Sequence, residues 1–285
     1  MHHGTWGIFE ILLTGLSLLT LAAYLVAAYR QRICKCSCKR GCERDCKHRW
    51  SHWRTASFSS GIIVLLFALL PQTVEFAHHD LRGHMLQHLL LGMVAPLGLV
   101  FGAPVLLALR TGPRRFSRGL VRWLRSPFIA FISHPVTALV LNIGGMYLLY
   151  LTPLYAAMQE SALLHALVHW HFLVAGCLFT WAIAGPEPAP QRPGWRFRLV
   201  VMFVAMATHA FLAKAMYAYG WPAGSGHNME AIQSAAKIMY YGGDLTELVL
   251  VIALFAQQAR CVVRRRQVWH DRRRAVVQEQ AIWDG

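Results

Sequence analysis

The sequence predicts an all-α polytopic membrane protein with seven transmembrane helices, and three observations carry that reading. Of its 285 residues, 56% are hydrophobic and only 14% charged, with a positive mean hydropathy. A soluble domain carries about a quarter charged residues. Seven apolar runs divide the chain, each about 20 residues or slightly longer, enough to cross a hydrocarbon core of roughly 30 Å as a helix. Finally, 25 of the 28 Lys and Arg residues fall in alternate connecting segments.

The runs cover approximately residues 6–29, 57–77, 84–109, 127–150, 162–184, 197–217 and 236–259. The first lacks a basic leading region and a small-residue cleavage pattern, so it reads as a helix and not as a cleavable signal. Segment 30–56 holds nine basic residues, 109–126 six, 186–198 three, and the stretch from Arg260 seven. The intervening segments hold only Arg82, Lys214 and Lys237. Basic loops stay cytoplasmic, which puts the N-terminus outside and the C-terminus in the cytoplasm. Only an odd number of crossings keeps the four basic segments on one side. The formal charge of +15 is therefore a topology signal, and no nucleic-acid partner is expected.

The third run carries Pro96 and Pro104, each of which removes a backbone hydrogen bond and favours a kink. Gly92, Gly98 and Gly102 in the same run permit close approach of a neighbouring helix. The stretch Pro186–Pro193 is a turn that stops the fifth helix. The chain thus divides into a first transmembrane helix (1–29), a cysteine-rich basic cytoplasmic loop (30–56), a six-helix membrane core (57–259) and a basic cytoplasmic tail (260–285).

Histidines concentrate on one side of this arrangement. His84 and His88 open the third run, and His165 and His169 open the fifth. Four-residue spacing sets each pair on one helix face, one turn apart. His209 lies near the outer end of the sixth run and Asp244 near the outer end of the seventh. At 1.5 Å per residue, His88, His169, His209 and Asp244 fall roughly 6–12 Å below the outer boundary. A single buried histidine is ordinarily satisfied by a nearby carbonyl, and a single methionine fills a gap in a core. Two repeated pairs at matching depth are harder to explain that way, because ionisable groups inside a membrane are costly. Imidazole and carboxylate suit first-row metals, and the nearby Met85, Met146 and Met206 lean towards copper, Cu(I) in particular. His171 points about 200° from His169 and is set aside. His134 starts the fourth helix on the opposite side.

A second cluster is Cys34, Cys36, Cys38, Cys42 and Cys46, followed by His48. On the cytoplasmic side thiols stay reduced, so a disulfide framework is disfavoured. The spacing lacks a Cys-x2-Cys zinc pair. Dense thiolates among Lys and Arg suit a soft ion such as Cu(I). The alternative is a basic loop with incidental cysteines.

The run His84-Met85-Leu86-Gln87-His88, followed by Ala95-Pro96 and by Gly102 and Pro104, resembles the CtaG family of bacterial cytochrome c oxidase assembly proteins. Pro153-Leu154-Tyr155, the pair His165 and His169, Phe179 with Trp181, and Gly185-Pro186 extend the resemblance over roughly residues 60–255. It implies a multi-pass protein of the bacterial inner membrane, N-terminus periplasmic, that delivers copper to an oxidase under assembly. Its partners would be the lipid bilayer and oxidase subunits or other copper chaperones. The expected copper site is His84, His88, His165, His169 and His209, with Asp244 as a neighbour.

No nucleophile–base pair, phosphate-cradling loop or dinucleotide motif is present, so no enzymatic turnover is expected. Two other functions compete. Histidines from different helices can ligate haem b in a quinone-linked redox protein, although paired histidines on one helix suit axial ligation poorly. A copper transporter would use the cysteines and the histidines as its two ends, although the third run is apolar between His88 and Arg110.

The topology has a direct test. A reporter fused after residue 285 should read cytoplasmic and one inserted within 218–235 should read periplasmic; both on one side would remove the seven-helix arrangement.

Overall fold

The computed structural model describes residues 8–33, 50–187, 192–223 and 226–283. Among them it is helical throughout, without a strand. In chain order the helices are α1 (Ile8–Ile33), α2 (His52–Ala68), α3 (Pro71–His79), α4 (Leu81–Thr111), α5 (Arg114–Leu124) and α6 (Pro127–Ile132). They continue with α7 (Pro135–Leu151), α8 (Leu154–Glu160), α9 (Ala162–Ala184), α10 (Trp195–Tyr219) and α11 (Met229–Trp283). Five stretches are long and apolar enough to cross a membrane: most of α1, all of α4, α9 and α10, and Met229–Val263 of α11. The bent pairs α2/α3 (54°) and α7/α8 (80°) bring the number to seven if each is one span. Large apolar side chains such as Leu12, Phe203 and Phe211 face outwards, as a lipid-facing surface requires.

Prolines set where the helices differ from the sequence reading. The run 57–77 does not continue as one helix, because Pro71 ends it at Leu69–Leu70 and starts α3. The run 127–150 divides in the same way, with Pro135 at the start of α7 and the short α6 left on its own. Pro96 is absorbed differently: α4 widens into a π-turn over Leu90–Val94 just ahead of it. At Pro104 the helix breaks and restarts, with Ala103 in the left-handed region at φ 52°. The freed N–H of Leu106 finds the buried carboxylate of Glu187 at 3.0 Å, a cap supplied from a remote loop. The stretch from Arg260 continues α11 instead of forming a separate tail. Its 55 residues span about 80 Å, well beyond a membrane core.

α4 is the centre of the bundle, and glycines bring it close to two neighbours. A Cβ on Gly98 would fall 2.6 Å from the backbone of Gly61 in α2, and one on Gly102 would strike Phe58. On another face, a Cβ on Gly176 of α9 would overlap the carbonyl of Gly92. The Ser57 hydroxyl donates to the Gly98 carbonyl at 3.0 Å, tying the α2 crossing together. α1 is held by Tyr24, whose hydroxyl donates to the Gly102 carbonyl at 2.8 Å while its ring stacks on Phe58.

The α2–α4 crossing predicts a stability loss. Gly61→Val would set a Cβ 2.6 Å from Leu99 N, a backbone atom that cannot move aside. Thermal unfolding in detergent should show a loss of about 2 kcal/mol or more. Gly119→Ala, which meets nothing within 4 Å and lies inside α5, should leave the midpoint unchanged or slightly raised, because alanine favours a helix interior. Equal midpoints for both variants would remove this crossing from the account.

Candidate metal centre

Five helices converge on a buried cluster of histidines at one end of the bundle. α4 supplies His84 and His88 from its first two turns, after Asp80 caps its N-terminus by accepting from the Arg82 N–H. α9 supplies His165 and His169 from its first two turns, after Ser161 caps it by accepting from Leu164 N–H. α10 supplies His209, α7 supplies Met146 and Tyr150, and α11 supplies Glu247. All five histidines are no more than 6% exposed, which removes the alternative that they merely line the water boundary.

The rings form a connected row. His165 stacks on His78 of α3 with ring centres 4.6 Å apart and meets His169 edge-on at 4.2 Å. His169 lies 6.1 Å from His84 by ring centres. Tyr155 and Tyr150 approach His84 edge-on at 5.2 and 6.2 Å, and Tyr150 also meets His88. Further in, His88 Nε2 lies 3.2 Å from Met146 Sδ, and Phe172 packs edge-on against its ring. His209 stands on the α11 side of the cluster, directly against Gly243. His209 Nδ1 is 3.6 Å from Glu247 Oε1, beyond hydrogen-bond length but within ion-pair reach.

Local backbone features aim these side chains. π-turns occur in both helices flanking the His88–Met146 contact: Leu90–Val94 follows His88, and Val140–Gly144 precedes Met146. The Gly242-Gly243 pair of α11 clears space, since a Cβ on Gly243 would fall on the His209 ring and one on Gly242 on Leu89.

The donors are under-used within the protein. Both nitrogens of His84 and of His209, His88 Nδ1, His169 Nε2, the hydroxyls of Tyr150 and Tyr155, and Glu247 Oε2 are buried without a hydrogen-bond partner. One such group costs about 1–3 kcal/mol, so a cluster of them opposes folding unless something else engages it. Imidazole, thioether and carboxylate together match a soft or borderline transition metal. The rings do not form a closed cage. Among the described residues, no three His, Cys, Asp or Glu side chains stand where one metal ion could bind them all.

His84, His88, His165, His169 and His209 are thus brought together, while Asp244 is not the carboxylate that faces them. It is half-buried one turn before Glu247, and Glu247 is the acid at His209. Glu247 was legible only as an acidic residue inside an apolar run, three positions beyond Asp244. Tyr150 and His78 were not among the sequence candidates, and Tyr155 entered only through the Pro153-Leu154-Tyr155 motif. Met85 is buried and Met206 half-buried in the core. His171 points elsewhere, to the Leu141 carbonyl at 3.0 Å, and His134 caps α7. Cys34, Cys36, Cys38, Cys42 and Cys46 lie outside the described residues.

Residues 22–261 match the family described as the cytochrome c oxidase caa3 assembly factor. The chain belongs to the CtaG family. Among curated proteins, the CtaG-family chain is 31% identical over 229 residues to an uncharacterised protein of Mycobacterium leprae. It is 33% identical over 229 residues to uncharacterised proteins of Mycobacterium bovis and Mycobacterium tuberculosis. Each match covers 74% of this chain and 35% of the relative, so the chain spans about a third of the length of these curated relatives. No solved structure matches.

The unpartnered donors predict a stability gain at the expense of the site. His84→Leu replaces two orphaned ring nitrogens with apolar atoms of similar bulk. The metal-free variant should unfold at a higher temperature, by about 1–2 kcal/mol. A lower midpoint would show that the imidazole has a stabilising partner.

Proposed function

We propose that this CtaG-family protein binds copper as cargo at the buried histidine–methionine cluster and helps insert it into a haem–copper cytochrome c oxidase. The observation that carries the reading is the 3.2 Å approach of His88 Nε2 to Met146 Sδ amid orphaned imidazole nitrogens. Imidazole and thioether together favour Cu(I) over hard cations. His84, His88, His165, His169 and His209 are the candidate ligands with Met146. Glu247 supplies a buried carboxyl beside His209 that, on releasing its proton, would offset the charge of an entering cation. The tyrosines and Phe172 exclude water. Ligands would exchange one at a time between this cluster and an oxidase subunit or another copper chaperone, with no catalytic turnover.

In this reading the chain crosses the bacterial inner membrane seven times, each bent pair being one crossing. The N-terminus is periplasmic and the C-terminus cytoplasmic, in line with the split of basic residues. The histidines then open towards the periplasm. Cys34, Cys36, Cys38, Cys42 and Cys46 would form a separate Cu(I) thiolate site on the cytoplasmic side.

Metal content of purified variants tests the proposal. His88→Ala and His169→Ala should each remove most bound copper, and the double variant should lose little more, because ligands of one site act as a unit. Additive losses would divide the cluster into separate sites. Wild-type protein that binds no copper but shows a haem Soret band would replace the copper reading with the redox one.

A further inference from the structure

On another face of α4, a groove of about 710 Å³ runs between α1, α2 and α4 and reaches the start of α5. Its walls include Leu13, Leu16 and Ala23 of α1, Leu65 of α2, and Leu107 and Ala108 of α4. From Leu13 to Ala27 it follows α1 for roughly 20 Å, longer than the ~15 Å hydrocarbon depth of one leaflet. The hydroxyls of its lining are already satisfied internally. Ser17 donates to the Leu13 carbonyl, Thr20 to Ser17, Tyr24 to Gly102 and Thr111 to Leu107. No free donor or acceptor among these can recognise a polar ring or head. The part of any occupant lying inside is hydrocarbon.

One end of the groove is lined by Pro113 and Phe116, where α5 begins. α5 is strongly two-sided. At 100° per residue, Phe116, Leu120 and Trp123 fall on one face, and Arg114, Arg118 and Arg122 on the other, with Arg115 beside them and Arg125 following in line. Phe116 and Trp123 are exposed apolar groups, and the five arginines are exposed as well. Among the described residues, no carboxylate lies within ion-pair distance of these arginines. An apolar face with an unpaired basic face opposite it is the signature of a helix lying in a membrane interface. Such a helix attracts anionic head groups.

We propose that the groove binds an acyl chain of an anionic phospholipid, with the lipid phosphate held by the arginines at the start of α5. The site joins two features that neither the histidine cluster nor its copper chemistry uses: a largely apolar slot and a cluster of uncompensated cations on the outer face of the helix that begins at its end. Bound there, the lipid would pack α1 against α2 and α4 and fix α5 at the membrane surface.

The test uses the full-length protein in mild detergent, with dioleoyl phosphatidylglycerol and dioleoyl phosphatidylcholine as probes. Native mass spectrometry and thermal unfolding are the readouts. The wild type should retain phosphatidylglycerol in preference to phosphatidylcholine, and the former should raise its unfolding midpoint more. Arg114→Gln, Arg115→Gln and Arg118→Gln together should abolish the preference, at about five-fold in affinity per arginine, while leaving binding of the zwitterionic lipid. Ala108→Phe with Ala23→Phe should fill the groove and remove the bound lipid of both kinds. The Arg variants keep the apolar packing intact, so their result stands even if the filled variant fails to fold. Equal binding of the two lipids by the wild type, or unchanged adducts in a folded groove-filled variant, would overturn the proposal.

Discussion

The arrangement depends on how closely α4 approaches its neighbours. With little hydrophobic force between helices inside a bilayer, association relies on contact between backbones, and α4 achieves it on two faces. Gly98 meets Gly61 of α2, while the Gly92 carbonyl meets Gly176 of α9. These contacts fix the rotation of α4, and with it the direction of His84 and His88, whose neighbours on α9 are His169 and Phe172. A larger side chain at Gly176 would push α9 off the Gly92 carbonyl, and the two histidine pairs would separate. The π-turn at Leu90–Val94 serves the same end, since it adjusts helix register between the histidines and the glycine crossing.

The cluster runs against the economy seen elsewhere in the bundle. At the opposite end, most buried polar side chains make at least one bond: Arg198 donates to the Ile183 carbonyl and to Gln257, and Gln257 donates to the Gly185 carbonyl, while Arg198 Nε, Arg192 Nε and Trp181 Nε1 stay unpartnered. Glu187 caps a broken helix. Those bonds close the bundle. The histidine end instead leaves ring nitrogens, two phenols and a carboxylate oxygen unmatched inside apolar walls. The arginines there keep other bonds, whereas His84 and His209 have both ring nitrogens unmatched, which sets the cluster apart from structural polar cores.

Much of this was readable from the sequence, because membrane solvation and helical periodicity act locally. Apolar runs of the right length and His-x3-His spacing sufficed to find the helices and four of the five clustered histidines, and matching depth added His209. Boundaries were less legible. Pro71 and Pro135 divide runs whose composition is continuous, whereas Pro96 is absorbed by a π-turn, and composition does not distinguish the two outcomes. Glu247, and not its neighbour Asp244, faces His209 for a geometric reason. Asp244 and Glu247 lie three residues apart on one helix, and the depth estimate does not say which faces inward; the position of α10 and its His209 decides it. Tyr150 and Tyr155 were not placed at the cluster, because their position beside His84 comes from the 80° bend between α7 and α8.

The spacing of the rings bears on how cargo would be passed on. Adjacent ring centres stand 4.2 to 6.1 Å apart along the row from His165 through His169 to His84, and among the described residues no three His, Cys, Asp or Glu side chains already converge. A closed four-ligand cage would bind copper strongly and release it slowly. An open row has to draw side chains together to complete a coordination sphere, and that reorganisation lowers the net affinity by the fraction of time the competent arrangement is populated. It also leaves neighbouring imidazoles free to take the ion as others let go. In the copper reading, the row would therefore work as a sequence of two-donor stations. Its inner end is the His88–Met146 pair, and its outer end is the stacked pair His78 and His165. Assembly of the site from separate helices then has a purpose beyond burial, because small relative shifts of α4, α7 and α9 change which donors meet.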